Sequence, residues 1–175
     1  MSWVPRIVES IHWDPLSLEI PWDAVEGELH CVLPEDFKEL AQTFGAGVFS
    51  GFIEIAWTGG VERPLLGEWN SLRQISKVNT FAAEDLQRYG VYQPGGSGLL
   101  PWANTYSECQ IYWLADSGPP SEWSVIVQDS EGEWSEFKMS ASEFIFRVLT
   151  EVEFKFSVAE YGSPFYELSS DIEDI

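Results

Sequence analysis

Basic residues are scarce in this chain. Nine Lys and Arg stand against 29 Asp and Glu, a formal net charge of −20. A surface of that sign repels phosphate backbones and anionic headgroups and attracts basic partners. Nucleic acid and membrane are therefore excluded as expected ligands. Histidine is scarcer still, with His12 and His30 the only two. That excludes a three-histidine metal centre, and a two-histidine carboxylate site would need a helix residue and an irregular N-terminal residue to converge. Cys31 and Cys109 are the only cysteines, and in a chain of this size two cysteines read as small, reduced, buried thiols rather than a staple. Cys109 has no histidine near it in sequence and sits in an apolar strand run, which argues against a cysteine nucleophile. No stretch approaches the ~20 apolar residues that span a bilayer. The start Met1-Ser2-Trp3-Val4-Pro5-Arg6 lacks the apolar run and small-residue cleavage site of a secretory signal, so the expected location is the cytoplasm.

Apolar and aromatic residues, by contrast, are plentiful. The 175 residues are 45% hydrophobic and 15% aromatic, with nine Trp, enough to bury one substantial core and too few residues for two. Three prolines, Pro5, Pro15 and Pro21, resist a long helix across residues 1–21, which read as an arm pinned on the core by Trp3 and Trp13. Trp22, Val25 and Leu29 recur at helical spacing. Phe37, Leu40, Ala41 and Phe44 do so again between Pro34 and Gly45, predicting a second helix with a left-handed glycine cap. Phe52, Ile53, Ile55 and Trp57 predict a strand ended by the turn Thr58-Gly59-Gly60, and residues 82–87 carry a helical turn or more. Residues 89–98 read as a Pro- and Gly-rich loop. Residues 111–114, 123–128 and 133–139 form an antiparallel meander, with Asp129-Ser130-Glu131-Gly132 closing the last hairpin. Ser140 and Glu143 match a capping box before Phe144, Val148 and Leu149. The fold class expected is α+β. One domain holds an antiparallel-rich twisted sheet flanked by N-terminal helices and by a helix after the last meander strand. It covers residues 22–156, and residues 157–175, acidic after Phe156, read as a tail.

Motifs for chemistry are weak. Gly45-Ala46-Gly47 follows a helix, and Ser50 stands where a dinucleotide-binding loop needs its third glycine. Gly95-Gly96-Ser97-Gly98 lacks the Lys and Ser or Thr of a phosphate loop. The turn from Asp129 to Glu133 carries three carboxylates, but its glycine falls at the fourth position and not the sixth of a calcium loop, which leaves at most a weak calcium site. Carboxylate pairs such as Glu35 and Asp36 arise by chance among 29 acids. No catalytic residue, metal site or cofactor is expected.

Charge distribution carries more information. Residues 89–137 contain Glu108, Asp116, Glu122, Asp129, Glu131, Glu133 and Glu136 and no Lys or Arg. A second cluster runs through Asp14, Glu19, Asp23, Glu26, Glu28, Glu35, Asp36 and Glu39, answered only by Lys38. Alternation puts Trp134, Glu136 and Lys138 on one face of the last strand. Trp134 is then either exposed beside carboxylates or packed under a loop or helix. Taken as a group, an aromatic anchor among acids gives a hot spot and electrostatic steering toward a basic protein. The candidate partner-binding residues are Asp116, Glu122, Asp129, Glu131, Glu133, Trp134 and Glu136.

An ordered set of segments adds a resemblance. Leu33-Pro34-Glu35-Asp36-Phe37-Lys38-Glu39-Leu40 leads to Phe44-Gly45-Ala46-Gly47-Val48-Phe49, then Gly98-Leu99-Leu100-Pro101-Trp102-Ala103 and Cys109-Gln110-Ile111-Tyr112-Trp113. Trp123-Ser124-Val125, Trp134 and Ser142-Glu143-Phe144 follow. In this order and spacing the chain resembles the SUKH superfamily over roughly residues 22–150. The family includes bacterial toxin-immunity proteins and a fungal regulator of cell-wall synthesis. The chain departs from it at Glu108-Cys109-Gln110, where many relatives have Gly followed by a polar or acidic residue, and residues 1–21 and 157–175 have no clear counterpart. The resemblance implies a binding protein without chemistry of its own, one that occludes a cognate toxin domain, more often a basic nuclease than another class. The alternatives are a regulatory scaffold for several cellular proteins, as in the fungal branch, and, ranked lowest, a metal-dependent carboxylate enzyme.

Overall fold

Short helices punctuated by Pro, Gly and polar caps alternate here with strands of three to eight residues. The computed structural model describes residues 2–56 and 64–169, and the structural statements below concern those residues. Proline in the first turn starts helix α1, Val4–Ile11, which buries Val4 and Ile7. Helix α2, Trp22–Leu29, buries the three apolar residues that marked it. Helix α3, Glu35–Phe44, buries Phe37, Leu40, Ala41 and Phe44, one stripe along its length, and Gly45 ends it at φ +75. Helix α6, Ala141–Thr150, opens as the capping box requires, with the Ser140 hydroxyl accepting from the Glu143 N–H at 3.3 Å. The reciprocal half is missing, because the Glu143 carboxylate is held by Arg147 one turn on.

The strands are β1, Gly47–Phe49; β2, Ile53–Ile55; β3, Gly98–Thr105; β4, Gln110–Ala115; β5, Val125–Gln128; β6, Trp134–Phe137; and β7, Tyr166–Leu168. They form one seven-stranded antiparallel sheet in the order β6-β5-β4-β3-β2-β1-β7. The fold is a single α+β domain with helices flanking the sheet, as expected. Registered partners share a face. Leu100, Trp113, Val125 and Phe137 form one such line and face α3 and α6. A register shift between Pro101 and Ala103 lets Trp102 join them. There Trp102 stacks on Trp113 at 5.5 Å, and Phe37 meets Trp113 edge-on at 4.8 Å.

Helix α4, Pro64–Val78, and helix α5, Thr80–Leu86, lie over part of the opposite face. Leu72 and Leu86 pack there on Leu99, Tyr112 and Ile126. A buried hydrogen bond from the Trp69 indole to the Tyr92 carbonyl, 3.0 Å, ties α4 down, and the Tyr92 hydroxyl reaches the Leu29 carbonyl at 2.9 Å.

Three expectations are corrected. Residues 1–21 are no extended arm alone, since α1 packs on α3 and α6. Residues 157–169 are no mere tail, since β7 pairs with β1 and Tyr166 is buried against Phe44, Phe49 and Trp13; the rest of the expected tail lies outside the described residues. The loop expected over residues 89–98 gives way at Gly98 to β3, and α4 had no counterpart in the pattern read above. The turn expected at Thr58-Gly59-Gly60, and Trp57, lie outside the described residues. No described helix is long and apolar enough to cross a membrane.

Candidate functional site

The fold separates the seven candidate residues into three places. Asp116 and Glu122 flank the loop between β4 and β5, and both are exposed. The Asp116 carboxylate accepts from the Gly118 N–H at 2.7 Å. Beside it lies a cleft of about 350 Å3 bordered by Cys31, Tyr92 and Trp123. Burial pushes the Cys31 thiol above its usual range, against a smaller opposing effect of the Tyr92 hydroxyl, so the thiol stays protonated and a poor nucleophile. Asp129, Glu131 and Glu133 sit at the far end of β5, where the Gln110–Gln128 pairing sets them about seven residues from Asp116 along the strands, roughly 20 Å at 3.3 Å per residue. There the Asp129 carboxylate accepts from the Glu131 and Glu133 N–H groups at 3.0 and 2.9 Å, closing the hairpin with Gly132 at φ +84. That oxygen is occupied by the turn. Glu136 and Trp134 lie on the α4–α5 face of β6.

Trp134 is not the exposed anchor. It is half-buried, with Tyr89 edge-on at 5.4 Å and Tyr112 at 6.0 Å, so the second of the two placements weighed for it is the one adopted. The exposed acids of the meander stay available. Among the described residues Asp116, Glu122, Glu131, Glu133 and Glu136 are exposed and form no ion pair. The N-terminal acid cluster is partly committed to the fold instead. Glu26 accepts from the Leu33 N–H at 2.9 Å and pairs with Lys38, which also holds Glu35. Asp36 accepts from the Ser142 N–H at 2.8 Å and so caps α6.

The pairing also builds a feature that no segment of sequence announces. Cα partners link Glu167, Val48, Glu54, Asn104, Gln110, Gln128 and Trp134 into one row across all seven strands, on the face away from α3 and α6. At one end of the row the Gln128 amide donates to Asp85 of α5 and Trp134 is covered by Tyr89. In its middle Glu54, Asn104 and Gln110 border a cleft of about 130 Å3, whose helix-side wall is Glu68 of α4.

No family model, curated protein or solved structure matches the chain. Among the described residues no group of three or more His, Cys, Asp or Glu is arranged to hold a metal ion.

Proposed function

We propose that this chain is a non-catalytic, immunity-type protein that binds a cognate toxin domain stoichiometrically and occludes it, in the manner implied by its resemblance to the SUKH superfamily. The toxin is a basic domain, of which a nuclease is the leading class, and the encounter takes place in the cytoplasm. The observation that carries this proposal is the set of exposed, unpaired carboxylates on the meander, within a stretch of 49 residues, 89–137, that has no cation at all. Nuclease domains are basic because they hold phosphate backbones, so an acidic inhibitor gains association rate and covers the cationic cleft at once.

A second reading is a regulatory scaffold, and one observation favours it. At the corner between α4 and α5, Val78 and Phe81 are 84% and 83% exposed, far from the meander acids in sequence and apolar in character. A scaffold with several partners would use such a separate contact.

The test is affinity capture of the tagged chain from source-cell lysate with mass spectrometry, at low salt and again near ~0.5 M, where the Debye length falls to about 4 Å. One dominant basic partner with a toxin-like domain, released at high salt, is the expected result. Several unrelated housekeeping proteins retained at high salt would replace the immunity proposal with the scaffold. With the partner in hand, joint Glu122→Lys, Glu131→Lys, Glu133→Lys and Glu136→Lys substitution should slow association by about tenfold or more and flatten its salt dependence. Unchanged on-rates would remove the meander acids from the interface. Asp129 is left intact in this variant because it closes the hairpin.

A further inference from the structure

We infer that the cleft in the middle of the open sheet face is a recognition site for an arginine side chain presented by a basic protein partner. The protein nature of the partner rests on the binding function proposed above.

Adjacent strands lie about 4.8 Å apart, so Glu54, Asn104 and Gln110, successive partners on β2, β3 and β4, project side by side over roughly 10 Å. Glu68 faces them from α4, and Pro101, whose registered partner Tyr112 lies on this same face, gives the slot an apolar floor. Glu54 and Asn104 are half-buried and have already lost part of their hydration. Among the described residues, none of the Glu54, Glu68, Asn104 and Gln110 side chains makes a hydrogen bond or ion pair. Gln128, the next residue in the row, is by contrast satisfied by Asp85. Glu54 and Asn104, partly desolvated and unpaired, gain more from an incoming donor than fully hydrated groups would, and the exposed Glu68 and Gln110 stand beside them with acceptors free.

The acceptor geometry selects the donor. Two carboxylates and two amide oxygens at the rim of a narrow slot suit a flat guanidinium with five N–H donors, whose methylenes can lie on Pro101. An ammonium offers three donors in a compact, strongly hydrated head and uses fewer of these acceptors. Among the described residues no Lys or Arg lines the cleft, so an incoming cation meets no competing charge from them. The field is felt by the neighbouring phenols. Tyr112 and Tyr166 are both held protonated above the ordinary tyrosine range, foremost by burial and then by Asp85 and Glu68 in one case and Glu54 in the other.

The Asn104 and Gln110 side-chain NH2 groups are built-in reporters. The full-length, 15N-labelled protein would be titrated with a nona-arginine peptide at about 0.15 M salt, and in parallel with nona-lysine. The affinity of Glu54→Gln with Glu68→Gln would be compared with that of Glu131→Gln with Glu133→Gln, which removes the same two charges from the hairpin. Movement of the Asn104 and Gln110 signals is expected, with tighter binding of nona-arginine than of nona-lysine. The cleft variant should bind at least fivefold more weakly than the hairpin variant. Equal loss in the two variants, shifts confined to residues 129–136, or equal response to the two peptides would overturn the site. If the cleft variant melts early, Gln110→Ala at its exposed position replaces it, with weaker nona-arginine binding expected and unchanged binding overturning the site. The two proposals fail separately. A captured toxin that binds the cleft variant normally removes this site and leaves the immunity function standing, whereas absence of any toxin partner removes that function and leaves the peptide result intact.

Discussion

Individual residues in this protein are constrained by contacts that their chemical type does not reveal. A Cβ added at Gly47 would lie 2.6 Å from the Tyr166 hydroxyl oxygen and closer still to the Glu167 carbonyl, so the β1–β7 pairing is possible only without a side chain there. Gly47→Ala should cost about 2 kcal/mol, lowering Tm by roughly 4–8 °C in a chain of this length. An unchanged thermal melt would show that β7 yields freely. Asp36 looks like one more surface acid, yet its carboxylate is the partner of the Ser142 N–H, and Ser142 is completely buried. Asp36→Ala leaves that donor without an acceptor and should cost about 1–3 kcal/mol, while Asp36→Asn keeps a side-chain oxygen and should cost less. Equal denaturation midpoints for the two variants would contradict the capping role.

Among the elements, the last strand is the one whose importance was least visible. β7 covers the edge of β1, and Tyr166 both packs on Phe44 and Phe49 and donates to the Gly45 carbonyl at 2.9 Å. Tyr166→Phe should lose about 1 kcal/mol. Truncation before residue 157 should expose the β1 edge together with this aromatic cluster, giving an aggregation-prone, destabilised chain in size-exclusion and thermal measurements. A dispensable tail would leave both unchanged. Three-residue strands such as β1 and β7 are shorter than any periodicity can register, so they were not legible, whereas α2, α3 and α6 each carried an apolar spacing, ended in α3 by Gly45 and opened in α6 by a capping box. β3 was obscured by Pro101 in its interior and by burial of both its faces, which replaces alternation with the unbroken run Leu99-Leu100-Pro101-Trp102-Ala103. In α4 the buried Leu65 and Trp69 have helical spacing, but Pro64 and Gly67 interrupt the pattern. Alternation placed Trp134 on the correct face. It could not tell that Tyr89 lies over that face. The cleft was hidden for a related reason. Glu54, Asn104 and Gln110 come from three strands and become neighbours only through register.

At the scale of the whole molecule, a net charge of −20 makes the folded state repel itself, with few ion pairs in the described residues to offset it. Raising salt from about 0.02 to 0.3 M should therefore raise Tm by a few degrees, since screening relieves repulsion more than it weakens those pairs. A fall in Tm would mean that the pairs dominate. At the alkaline end the outcome follows from the phenols. Tyr112 and Tyr166 have pKa values raised above the ordinary value near 10, so the folded state keeps their protons where the unfolded chain releases them. Their contribution to stability is complete below about pH 10 and is lost as pH climbs past it toward the raised native values. Lys38 acts in the same direction. Burial opposes its charge, but its bonds to Glu26 and Glu35 prevail and raise its pKa, so its contribution too is present at lower pH and disappears as the ammonium deprotonates. Melts taken at successive pH values should thus show Tm falling above about pH 10, with part of the phenolate absorbance appearing only in step with unfolding. If all six tyrosines instead ionised together while the near-ultraviolet circular dichroism stayed native, the burial of Tyr112 and Tyr166, and with it the packing of α5 and β7 on the sheet, would be refuted.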